Sequence, residues 1–201
     1  MKKHLFTLIL FLSIFSLAQS QTEKVEHESR VKQDEFPQHS LQRLEPILKK
    51  SKGNKFYKEF DGENYFFELK TKYKGGAYSI KFTENGDLVD IERLYDFEKL
   101  KRALHDQIVE HLDKNYKKHR VERFQIQYNR EIEEEGPEED EDFMEDFIEM
   151  DLEDLIVNYE IEVEVLSESG ESSLMELLFD AKGKLIQQRK VKRRDEDYIL
   201  Y

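Results

Sequence analysis

The sequence predicts an α+β protein: two tandem repeats, each a helix followed by a four-stranded antiparallel sheet, with the two sheets able to join as one continuous curved sheet carrying its helices on one face. Three observations lead there. Short segments alternate apolar and polar residues between glycine turns, as half-buried antiparallel strands do. Two stretches hold apolar residues at helical spacing. The second half of the chain repeats the order of the first.

Lys2 and Lys3, the apolar run from Leu5 to Leu17 and the small residues Ala18 and Ser20 read as an export signal over 1–20. The run is shorter than a spanning helix requires, so the expectation is a periplasmic or secreted protein with no integral membrane segment after signal removal. There is no cysteine, so neither a lipid anchor nor a disulfide can staple it. Residues 21–36 are polar and mixed in charge and read as a flexible leader. From Ser40 to Lys50, Leu41, Leu44, Ile47 and Leu48 share a helical face, with Pro46 arguing for a kinked or late-starting helix.

Strand signals follow at 56–60. They continue at Tyr65, Phe67, Leu69, Thr71 and Tyr73, then at Tyr78, Ile80 and Phe82, and again from Leu88, separated by Asp61-Gly62, Gly75-Gly76 and Asn85-Gly86. Asp96 caps a longer helix whose stripe is Phe97, Leu100, Leu104, Ile108, Leu112 and Tyr116. Phe124, Ile126 and Tyr128 open another strand, an acidic segment intervenes, and Tyr159 to Val165, Leu174 to Phe179 and Leu185 to Val191 complete the second set. The organisation is a signal over 1–20, a leader over 21–36, a first repeat over 37–95, a second over 96–194 with an acidic insert over 130–155, and a tail over 195–201.

Aligned on Asn64-Tyr65 and Asn158-Tyr159, the halves bring Phe82 to Phe179 and Gly86 to Gly183. The order helix, strand, then "NYEIEVEV…SSLMELLFDAKGKLIQQ", with "ALHDQIVEHLDKNYKKHRVERFQIQYN" before it, resembles the PepSY-like, or β-lactamase-inhibitor-like, family of exported bacterial proteins. The resemblance covers nearly all of the chain after residue 20. It implies a tandem repeat with an open, slightly curved sheet, and binding or inhibition as the function class. The acidic insert departs from the family's core. The hairpin at Lys72–Gly76 lacks the acidic tip with which the known β-lactamase inhibitor fills its target's pocket, so no inhibitory residue carries over.

The net charge is −13, and −15 once Lys2 and Lys3 leave, which argues against nucleic acid and for basic partners or cations. Charged residues make up 38% of the chain, yet 14 Phe and 10 Tyr are too many for a disordered one. The segment EIEEEGPEEDEDFMEDFIEMDLED mixes carboxylates (Glu138, Asp140, Asp142) with apolar anchors (Phe143, Phe147). It reads as a solvated loop, as an acidic amphipathic helix that recruits a basic partner, or as a calcium ligand set, though without the EF-hand order. It could also lie against the basic run Arg189–Arg194. Glu160, Glu162 and Glu164 share a strand face, with Glu176 opposite, and form either an electronegative binding surface or an ordinary wet face. Phe66 points to that same face. Carboxylates in water there have no reason to titrate unusually.

His105 and His111 do not share a metal-facing edge and read as surface residues. No nucleophile motif, phosphate loop or dinucleotide fingerprint occurs, so no catalytic residue is expected. The expected function is a non-enzymatic protein-binding or inhibitor-like module using the open polar sheet face and the insert. The alternative is a calcium- or cation-binding envelope protein, and the metal ligands are left unassigned.

Overall fold

The computed structural model describes residues 23–25, 27–129, 137–152 and 155–192. The signal segment 1–20, the stretch 131–136 at the start of the insert, Arg193 and Arg194, and the apolar tail Tyr198–Tyr201 lie outside the described residues. The strands are β1 (Glu23–Val25), β2 (His27–Val31), β3 (Lys52–Phe60), β4 (Tyr65–Tyr73), β5 (Gly76–Thr83), β6 (Leu88–Leu94), β7 (Lys118–Asn129), β8 (Ile156–Leu166), β9 (Ser172–Phe179) and β10 (Leu185–Lys192). The helices are α1 (Gln38–Leu48), α2 (Arg102–Asn115) and α3 (Pro137–Glu149).

The strands form one sheet in the order β1-β10-β9-β8-β7-β6-β5-β4-β3-β2. Every pairing is antiparallel except β1 with β10. The two repeats fuse where β6 meets β7, through Ile91 opposite Tyr128 and Arg93 opposite Ile126. On the helix side this produces two apolar cores, one under α1 and α3 and one under α2, with Ile126 packed against both.

Each repeat seats its helix on the glycine that the sequence alignment paired. Gly86 and Gly183 both hold positive φ, a conformation costly for any side chain. A Cβ on Gly86 would lie 3.0 Å from Ser40 Oγ of α1, and one on Gly183 would lie 3.0 Å from Leu104 Cδ1 of α2. The turn must therefore be glycine for two reasons: its backbone hand and the close approach of the helix.

Four expectations are corrected. The stretch taken as a flexible leader forms strand β2, a 3-10 turn at Gln33–Glu35 and the buried ring of Phe36. That ring packs edge-on against Phe56, Phe67 and Phe82, which fixes the chain end to the first core. Secondly, α1 runs through Pro46 as one helix; the proline falls in the last turn, where only one backbone bond is lost. Thirdly, Asp96 caps a 3-10 turn, not α2: Leu100 is extended, and the break lets Phe97 turn in against Phe124 and His105 before α2 begins at Arg102.

The fourth concerns the acidic insert: the amphipathic helix read from its second part forms, but its apolar side faces the core and not a partner. Its second half is α3, with Pro137 in its first turn. Phe143, Met144 and Phe147 are buried in the first core, and Leu152 and Leu155 pack against it. Asp140 is buried too. It pairs with Arg43 of α1 at 3.1 Å and accepts from Leu88 N–H at 2.9 Å, while Arg43 donates to Gly86 O at 2.9 Å. This network ties α1, α3 and the β5–β6 turn together. At the far end, Lys74 Nζ donates to Ile148 O at 2.7 Å, so the hairpin tip caps the carbonyl end of α3. The connection between β7 and β8 thus covers the first repeat's core from the second repeat's sequence.

Candidate functional site

The site is the sheet face opposite the helices, and its shape follows from the chain ends. Val25 pairs with Lys192 on one outer strand, and His27 pairs with Phe60 on the other. Val25 and His27 are two residues apart, so Lys192 and Phe60 lie within about 17 Å of each other. Laid flat, the strands from β10 to β3 would separate them by roughly 34 Å. The sheet is therefore strongly curled. A helix is about 10–12 Å across, and a curl of this size encloses little more than side chains. The helices lie outside it and the polar face is the inner face.

Alternation loads that inner face. Strands β3 to β6 contribute Tyr57, Glu59, Phe66, Glu68, Lys70, Ser79, Lys81, Asp90 and Glu92. Strands β7 to β10 contribute Arg123, Gln125, Gln127, Glu160, Glu162, Glu176 and Arg189. A bulge between Lys81 and Phe82 lets Leu88 enter the core while Asp90 and Glu92 stay inside the curl. The carboxylates Glu59, Glu68, Asp90, Glu92, Glu160, Glu162 and Glu176 are all buried.

The bases of the face are threaded among them. Lys81 pairs with Glu59 at 3.0 Å, and Lys70 with Glu28 at 2.5 Å and Glu68 at 3.2 Å. Arg123 pairs with Glu162, and Arg189 with Glu176. Gln125 donates to Glu92 at 2.6 Å, and Gln127 to Asp90 at 3.1 Å. Carboxylates outnumber bases, and among the described residues Glu59 Oε1, Asp90 Oδ1 and Gln125 Oε1 are buried acceptors with no protein donor.

Burial gives this face the unusual titration that the sequence reading did not expect. Asp90 is pushed up to about 7 by burial, with Glu92 adding to the shift. Glu28 is likewise pushed up to about 7 by burial and by sharing a hydrogen bond with Glu68. Glu68 is held down to about 2: burial opposes this, but Lys70 and Lys81 overcome it. Lys81 stays well above its ordinary value, because Glu59, Asp90 and Glu68 outweigh its own burial.

The residues singled out from the sequence divide as follows. Glu160, Glu162 and Glu176 fall together on the inner face, buried and not on a broad open surface. Glu164 is on the same strand face but exposed, 2.8 Å from Arg120. Phe66 is half-buried there, with Lys81 above its ring. Phe143 and Phe147 are core residues, not exposed anchors, because α3 turns its apolar side onto the sheet. Asp140 is a buried structural ion, Asp142 is exposed, and the Glu138 side chain lies outside the described set. His105 and His111 are half-buried against the second core, each beside a phenylalanine ring, and do not converge. Glu59, Asp90 and Glu92 were missed as a site, although Asp90 and Glu92 show the same period-two spacing as Glu160 and Glu162. Among the described residues, no group of three or more His, Asp or Glu side chains is arranged to hold a metal ion, and no helix is long and apolar enough to cross a membrane.

The class defined by these elements is an α+β protein of two helix-on-sheet units sharing one curled sheet. It is similar in fold to a DUF2874 family protein from Bacteroides ovatus, at 13% identity and TM-score 0.49 over 77% of this chain and 87% of that one. It is also similar to a BLIP-like protein from Bacteroides fragilis, at 15% identity and TM-score 0.48 over 81% and 92%. No family model and no curated protein matches the chain.

Proposed function

We propose that this is an exported, non-enzymatic protein-binding module whose acidic inner sheet face receives a basic side chain from its partner. The observation that carries this reading is the excess of acceptors: Glu59 Oε1, Asp90 Oδ1 and Gln125 Oε1 are buried with no protein donor. A buried acceptor left without a donor costs about 1–3 kcal/mol. A guanidinium or ammonium brings the donors and the charge that this face is short of. Phe66, Glu160, Glu162, Glu164 and Glu176 line the same side and supply an aromatic contact and further carboxylates.

The test is crosslinking from envelope and culture fractions, with protein beginning at Gln21 as bait beside the double variant Glu59→Gln, Asp90→Asn. A partner captured by the parent protein and lost from the folded variant supports the inner face. Equal capture by both removes the site from that face, and capture insensitive to salt removes the electrostatic reading. Cation binding is the second reading and rests on the same acceptors. It predicts that millimolar calcium raises the melting temperature of the parent protein but not of the double variant.

A further inference from the structure

We propose that the cleft between α1 and α3, on the outer side of the molecule, is a second docking site, and that its occupant is a basic segment of a partner protein. The proposal is independent of the inner face. The cleft has a volume of about 440 Å³, with Pro46, Met144 and Ile148 as apolar lining. Its walls are held rigidly, because the buried pair Arg43–Asp140 joins the two helices beneath it. A docking groove needs this kind of preorganisation.

The occupant's chemistry comes from the rim. Glu141, Glu145 and Glu149 line the α3 side, are exposed, and follow one another at successive turns, about 6 Å apart along the helix. None of the three has an ion-pair partner among the described residues. Four other exposed carboxylates do have one, Glu45 with Lys49, Glu84 with Lys58, Asp106 with Arg102 and Glu171 with Lys190, while Glu63, Glu110 and Glu168 are open like the row but stand singly, away from the cleft. Like charges four residues apart weaken their own helix by a few tenths of a kcal/mol each, so the row works against α3 until a cation sits on it. Alternate residues of an extended segment are spaced about 6.6 Å apart, close to the spacing of the row. A second copy of this chain would bring its own acids to the rim. The tail beyond residue 194 reads Asp195-Glu196-Asp197 and would do the same.

The test uses protein beginning at Gln21 and a fluorescein-labelled peptide alternating arginine and leucine, three arginines long. Titration by fluorescence anisotropy is run on the parent and two triple variants that change net charge equally: Glu141→Gln with Glu145→Gln and Glu149→Gln at the rim, and Glu63→Gln with Glu110→Gln and Glu168→Gln elsewhere. The rim variant is expected to bind about tenfold or more weakly, and the control within about twofold of the parent. In protein labelled at methionine methyls, the Met144 resonance shifts on peptide addition while Met175, in the other core, stays in place. Equal losses in both triple variants, an unmoved Met144 resonance, or no binding to the parent would each overturn the proposal. Binding that appears only after residues 193–201 are removed would overturn it too, since the tail would then be the occupant.

Discussion

Phe147 decides whether the acidic insert is structure or decoration. Its ring has no exposed surface and packs edge-on against Tyr78 at 5.1 Å and beside Tyr73 at 6.1 Å. Phe147→Ala removes that ring from a close-packed core and leaves a cavity, a change that costs about 3–5 kcal/mol where the surroundings relax little. The aromatic pairs contribute on the order of 0.5–1.5 kcal/mol of such a loss beyond area burial. Total stabilities run to about 5–15 kcal/mol, so the variant should fold but with much of its margin gone. With a urea dependence of about 2–3 kcal/mol per molar, the midpoint should fall by roughly 1–2.5 M. Far-UV circular dichroism against urea reads this directly, with Asp142→Asn, an exposed change on the same helix, expected to move it little. A loss under about 1 kcal/mol would mean that α3 does not pack on the sheet, and that the insert is the solvated loop its charge suggests.

Three further perturbations test the rest of the frame. Asp140→Ala leaves Arg43 buried opposite a missing charge and should cost about 3–5 kcal/mol, whereas Arg43→Met with Asp140→Leu should recover most of it; equal losses would show the pair is not coupled. Gly183→Ala should destabilise by at least about 1–2 kcal/mol, since it combines left-handed strain with a clash on α2, and a neutral result would remove the close approach there. Glu28 and Asp90 titrate near 7 when folded but at ordinary carboxylate values when unfolded, so the folded state holds extra protons between about pH 4 and 7. Their contribution is full below pH 4 and lost as pH rises through 7. Glu68, held down, contributes above its ordinary value and loses that contribution as pH falls toward 2. Calorimetry should therefore show the melting temperature falling from pH 5 to pH 8, and Glu28→Gln with Asp90→Asn should flatten that slope; an unchanged slope would place the titration elsewhere.

Much of the fold was legible because periodicity is local. Alternation along Tyr65 to Tyr73 and Tyr159 to Val165 marks strands wherever they end up, and Gly86 and Gly183 mark equivalent turns. The candidate site was legible only in part. Glu160, Glu162 and Glu176 could be assigned to one face, but not to a buried one. Phe143 and Phe147 could be assigned to an amphipathic helix, but an apolar stripe does not say whether it meets a partner or the chain's own core. The leader misled for a related reason: residues 27–36 are mostly polar because a strand at the rim of a sheet needs backbone pairing more than apolar side chains, and only Val31 and Phe36 report its packing.

By itself, the sequence determined the two repeats, their order of elements, the strand faces and the excess of acid. These depend on residue type and spacing within one element. Tertiary structure alone decided that the repeats fuse at β6 and β7, that the leader joins both outer strands and curls the sheet, and that α3 returns to close the first core. Each depends on contacts between segments far apart in the chain, where no local pattern records the partner. The charge on the polar face follows the same division. Its carboxylates are written in the sequence, but the burial that moves Asp90 and Glu28 toward neutrality exists only when the sheet has closed around them.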